Sequence, residues 1–128
     1  MPKQIIHTEK APAPIGPYSQ AVKAGEFLFI SGQVAIDPAS GEVISGTVSE
    51  ETDRVMKNLE AILLAAYLTF DHVVKTTIFL SDMSLFVEMN NVYSTYFNGD
   101  YPARETVAVK GLPKNVNVEI SMIASVSI

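Results

Sequence analysis

The chain has 128 residues, nine basic and fourteen acidic, giving a net charge of −5 and a pI near 4.9; this balance opposes nucleic-acid binding, which needs Lys and Arg to neutralise phosphates. It has no cysteine and only two, isolated, histidines, which removes disulfides, thiolate metal sites and a cysteine nucleophile and argues against any metal centre. No apolar run reaches the roughly 18 residues that span a bilayer and no basic-then-apolar leader is present, so one soluble, cytoplasmic domain over residues 1–128, without membrane partners, is expected.

Lys3 to Thr8, with Ile5 and Ile6, reads as a short first strand. Three prolines between Pro12 and Pro17 forbid helix and central strand, leaving a stiff loop that delivers Tyr18 and Ser19 to the next strand. Tyr18 to Ala24, a turn at Gly25-Glu26 and Phe27 to Ser31 form a hairpin. Gly32 then marks a bulge or a point where the backbone must approach another group closely. Thr47 and Glu50 have capping-box spacing, and Val55, Met56, Leu59, Ile62, Leu63 and Ala66 recur at helical intervals, predicting a first helix from about Val48 to Tyr67. Its polar side, with Glu51, Arg54, Lys57 and Glu60, reads as a solvated face. Val73 to Leu80 is a β-branched strand. Ser81 to Ser84 caps a second helix whose stripe runs from Leu85 and Phe86 through Met89, Val92 and Tyr93 to Tyr96 and Phe97.

The last two strands carry the chemistry. Pro102 suits the mouth of a strand in which Arg104, Thr106 and Ala108 point one way and Glu105, Val107 and Val109 the other. In the final strand Val116, Val118, Ile120, Met122, Ala124, Val126 and Ile128 form one face; Asn117, Glu119, Ser121, Ser125 and Ser127 dominate the other, with Ile123 as the exception. Paired through Leu112 to Asn115, the two strands would bring Arg104 and Glu119 onto one polar face and turn Glu105 toward the helices. A guanidinium and a carboxylate so placed could hold an acid substrate and handle its proton. On spacing alone, the same pair serves equally well as an ion pair locking subunits together.

Two helices can cover only one face of this β, β, β, α, β, α, β, β order, which gives an α+β sandwich with an open sheet face. A 48% hydrophobic composition and a mean hydropathy of +0.22 are high for so small a monomer. A ring-like homo-oligomer packing the open faces together would account for both, with clefts between subunits.

Blocks spread over nearly the whole chain resemble the RidA family, also called YjgF/YER057c/UK114. They are Ala13-Pro14-Ile15-Gly16-Pro17-Tyr18-Ser19-Gln20-Ala21, Ser31-Gly32-Gln33, Val74-Lys75-Thr76-Thr77, Asn90-Asn91-Val92-Tyr93, Pro102-Ala103-Arg104, and Leu112-Pro113-Lys114 leading to Val118-Glu119-Ile120. The resemblance implies a chorismate-mutase-like α+β fold: a mixed sheet with two helices on one face, assembled as a homotrimer with clefts between subunits. It implies hydrolysis of 2-imino acids such as 2-iminobutanoate and 2-iminopropanoate to 2-keto acids and ammonia, without cofactor or metal, protecting pyridoxal-phosphate enzymes from these metabolites. It assigns Arg104 to the substrate carboxylate, Glu119 to the attacking water, and Tyr18, Ser31, Asn90 and Thr106 to the cleft. Two residues depart from the pattern: Glu105 follows the arginine where a small residue is usual, and Tyr67 replaces a common glycine. Without the resemblance, Tyr18 reads as an interface aromatic, Ser31 as part of a bulge and Asn90 as a helix hydrogen-bonder. The competing function is a non-catalytic module binding a small carboxylate or amino acid in the same cleft.

Overall fold

In the computed structural model, which describes residues 2–128, six strands form one mixed sheet with two helices on one face. The strands are β1 (Gln4–Ile6), β2 (Ala21–Ala24), β3 (Phe27–Gln33), β4 (Val73–Leu80), β5 (Ala103–Ala108) and β6 (Val118–Ser125); the helices are α1 (Val48–Ala65) and α2 (Phe86–Tyr93). Their order across the sheet is β1-β2-β3-β6-β4-β5, antiparallel throughout except for β4 and β5. Leu28, Ile30, Ile78, Leu80, Val118, Ile120 and Met122 on the sheet bury against Val55, Met56, Leu59, Ile62, Leu63 and Met89 on the helices. Among the described residues no helix is long and apolar enough to cross a membrane.

The expected pairing of the last two strands is wrong. Strand β4 lies between β5 and β6, and β5 runs parallel to β4 because the chain crosses over through α2 to reach it. Residues 109–117 are therefore a long connection, not a hairpin turn. Register decides the faces: Arg104 is opposite Thr76, and Glu119 is opposite Phe79. Thr76 and Phe79 lie three apart on one strand and must point to opposite faces. Arg104 thus sits under the helices, Glu119 lies on the open face, and the single-face site within one chain is excluded. The same parity corrects Glu105, which lies on the open face and pairs with Lys75 at 2.6 Å.

The first helix begins as its sequence predicts, with Thr47 and Glu50 forming a reciprocal capping box. Glu51 does not follow the prediction, being only 5% exposed. The helix ends at Ala65, two residues earlier than expected. Tyr67 adopts φ 62, and Leu68 N–H donates to Leu63 O, the closing bond of a Schellman motif that ordinarily takes glycine. Tyr67 is 94% exposed, so its side chain contributes little packing to offset the left-handed backbone. Tyr67→Gly is expected to raise stability by about 0.5–1 kcal/mol, the strain relieved less the added unfolded-state entropy, read as a higher thermal midpoint.

The open face is apolar. Phe27, Phe29 and Val107 are each 44–47% exposed, with Ile123 beside Phe29 in the register. The Ser31-Gly32 interruption is a bulge, since Ile30 pairs with Met122 and Gln33 with Ile120.

Candidate functional site

The sequence-predicted residues fall into two groups on opposite sides of the sheet. On the helix side, Arg104 donates from Nη1 to Asn90 Oδ1 at 2.7 Å. Its guanidinium carbon lies 5.1 Å from the Tyr93 ring centroid and 5.4 Å from that of Phe86. Two aromatic rings and an amide thus fix the cation without neutralising it. Tyr93 is itself tied down, its hydroxyl 2.9 Å from Thr76 Oγ1 on the strand beside Arg104. Arg104, Asn90, Tyr93, Tyr101 and Pro102 line an open cleft of about 410 Å³, within the range that takes a small molecule. Thr106 lies two residues along the same face of β5, its Oγ1 buried and without a hydrogen-bond partner among the described residues.

On the other side, Glu119, Tyr18, Gly32, Gln33, Pro12 and Pro113 line a cavity of about 60 Å³, room for a couple of water molecules. Burial pushes the Glu119 carboxyl above the usual carboxylate range. Tyr18 stands at the rim, 48% exposed, its hydroxyl accepting from Ile15 N–H at 3.3 Å. Buried Gln20 holds the proline loop there: its Nε2 donates to Thr8 O and Pro12 O at 2.9 Å, and its Oε1 accepts from Thr8 N–H at 2.7 Å. Ser31 does not line the cavity; its hydroxyl donates to Ser19 O at 2.6 Å and fastens the backbone next to Tyr18.

Gly32 combines the two readings its sequence allowed. It lies in the bulge, and the Glu119 carboxylate rests against its Cα: a methyl added there would fall 2.8 Å from Glu119 Cδ and closer still to Oε2. The Gly32 backbone is not left-handed, so only this contact demands glycine. Because the displaced group is the mobile end of a side chain, Gly32→Ala should leave thermal stability nearly unchanged. It should move the carboxylate and lower any turnover that depends on it by about tenfold, read as kcat.

Sequence reasoning missed Phe86, Tyr93 and Gln20 as parts of the site. The two aromatics read as core stripe, and only the register of Arg104 against Thr76 reveals that they flank a cation. Among the described residues no three His, Asp or Glu side chains converge as metal ligands would.

The family model described as Endoribonuclease L-PSP matches residues 8–126. A RutC family protein of Pyrococcus horikoshii is 52% identical over 95% of this chain and 97% of its own. The mouse 2-iminobutanoate/2-iminopropanoate deaminase is 50% identical over 95% of this chain and 90% of its own. The chain belongs to the RidA family. Among solved RidA-type structures, E. coli TdcF with bound serine superposes with a TM-score of 0.91 at 38% identity, covering 95% of this chain and 98% of that one. The α+β architecture, mixed sheet and two helices of this RidA-family chain match that fold, and the expected family assignment holds.

Proposed function

We propose that the protein is a 2-imino acid hydrolase whose active site is assembled from two protomers, Arg104, Asn90 and Thr106 from one facing Glu119 and Tyr18 of the next, where Ser31 fastens the backbone beside Tyr18. The observation that carries this reading is the division of the site residues into two half-sites, each incomplete. One holds a fixed, un-neutralised guanidinium in a substrate-sized cleft; the other holds a carboxyl of raised pKa in a water-sized cavity. The apolar open face, with Phe27, Phe29 and Val107, supports closure into a homotrimer with three such clefts.

In the cleft, Arg104 grips the substrate carboxylate through two parallel hydrogen bonds, a geometry an ammonium cannot reproduce. A water held at Glu119 attacks the carbon of the protonated imine while Glu119 takes one of its protons, giving a neutral tetrahedral carbinolamine. Glu119 returns that proton to nitrogen; the C–N bond breaks as the hydroxyl proton passes to Glu119 and the keto group forms, and Glu119 hands this proton to the departing ammonia, which leaves as ammonium. A carboxyl raised by burial suits both tasks, because its two protonation states lie closer in energy near neutral pH. No redox or group-transfer partner is required. Removal of such imines would protect pyridoxal-phosphate enzymes that they inactivate.

The deciding experiment generates 2-iminobutanoate in situ from threonine with a dehydratase and follows 2-ketobutanoate release. Acceleration by the protein is expected; an unchanged rate overturns the reading. The serine bound to E. coli TdcF favours a second reading, in which the same cleft binds a small amino acid without turnover. That reading predicts binding with Glu119 dispensable. The ribonuclease of the family description draws no support from a chain of net charge −5.

A further inference from the structure

Two consecutive non-glycine residues, Lys114 at φ 57 and Asn115 at φ 56, occupy the left-handed region just before β6. Backbone of this kind persists only where its surroundings over-determine it. The turn closes on its own backbone, Asn115 N–H donating to Leu112 O, while the chain just beyond it is held by a group from across the molecule. Glu51, in the first turn of α1, is 5% exposed. Its Oε2 accepts from Asn117 N–H at 2.7 Å and Val118 N–H at 2.9 Å, and its Oε1 accepts from Asn117 Nδ2 at 3.1 Å. Asn117 is gripped from its other side by Ser81, whose N–H donates to Asn117 O at 3.0 Å and whose hydroxyl donates to Asn117 Oδ1 at 2.8 Å. All three donors to Glu51 are neutral. A carboxylate taken from water into such a place is costly, and an apolar side chain would cover the sheet at less expense. What an apolar side chain could not do is hold Asn117 and Val118.

Those residues set the position of the Glu119 cavity. Glu119 follows Val118 directly, and Pro113, at the other end of the strained turn, lines the same cavity. We propose that Glu51 is the positioning residue for Glu119: by clamping the Asn117 and Val118 amides it fixes the start of β6, and with it two walls of the cavity, without touching substrate. Arg104 stands on the opposite face, held by α2 and β4, and is independent of the clamp. Glu51 therefore governs turnover and not carboxylate affinity. The kinetic part of this inference rests on the hydrolase reading; the structural part does not.

The test pairs steady-state kinetics on 2-iminobutanoate with an NMR titration of the Glu119 carboxyl in carboxyl-labelled protein. In Glu51→Ala, kcat is expected to fall about tenfold with KM within about twofold, the signature of a displaced acid-base group. The Glu119 midpoint should move down toward the ordinary carboxylate value as water reaches the loosened strand. Glu51→Gln, whose side-chain oxygen can still accept both backbone N–H groups, should restore kcat to within about threefold of the parent. A folded Glu51→Ala protein in which Glu119 titrates as in the parent overturns the proposal, whatever its kcat. So does a Glu51→Gln variant as impaired as Glu51→Ala, which would assign the effect to the charge or to the Asn117 side-chain bond at Oε1 instead of the two backbone N–H groups. If Glu51→Ala does not fold, Glu51→Asp, one methylene too short to reach both amides, is read by the same titration and the same criterion. Should the parent hydrolyse no 2-iminobutanoate, the hydrolase reading falls while the titration still decides the role of Glu51.

Discussion

Glu119→Gln is expected to lower kcat by about 100- to 10,000-fold on 2-iminobutanoate, the range that a positioned proton-transfer group contributes, while substrate still binds through Arg104. The parent pH profile should have an acid limb where Glu119 ionises, above the usual carboxylate range because burial opposes the charge. The variant should lack that limb. Stability should move the other way. A carboxyl whose folded pKa is raised binds more protons folded than unfolded, so its contribution is present below the unfolded value and lost as pH rises through the folded one. Glu119→Gln should therefore melt higher than the parent at neutral pH, and the difference should vanish at a pH below the ordinary carboxylate range. Thermal melts at both pH values check the sign. A variant of undiminished kcat would leave amino-acid binding without turnover as the better account.

Arg104→Lys is expected to cost about 10- to 150-fold in kcat/KM, corresponding to a charged hydrogen bond of roughly 1.5–3 kcal/mol. The loss should appear mainly in KM, because the cation holds the substrate carboxylate before and during reaction. Lysine keeps the charge but cannot present a planar fork, nor lie between Phe86 and Tyr93 as the guanidinium does. An assembled Arg104→Lys protein that turns over at the parent rate would rule out the two-bond grip. The two substitutions also test the shared cleft. Mixed and reassembled one to one, Arg104→Lys and Glu119→Gln chains form some clefts with a native arginine from one chain and a native glutamate from its neighbour. About a quarter of parental activity should return if partners assort at random around a closed ring. A site contained in one chain would recover none.

Much of this was legible in the residues because the signals were local. Thr47 and Glu50 make their capping box wherever α1 goes, and Gly32 announces both a bulge and a close approach. The alternation along β5 and β6 was also read correctly, strand by strand. What alternation cannot supply is the neighbour. Which strand lies beside β5 depends on how α2 packs, and that non-local choice put β4 in between and placed Arg104 and Glu119 on opposite faces. Glu51 failed for a different reason. It lies three residues from Val48 and four from Val55, on the apolar stripe itself, so position alone pointed inward; its charge suggested solvent, and the three N–H groups that receive it lie 66 and 67 residues away.

The bulge at Ser31-Gly32 has one more effect, on which residues of β3 face inward. Before it the even-numbered Leu28 and Ile30 are the buried residues, and after it, at the end of the strand, the odd-numbered Gln33 is. Deleting one residue there would restore an unbroken ladder with β6. The same repair would shift Gly32 from beneath the Glu119 carboxylate, so a straighter strand would cost that carboxylate its resting place.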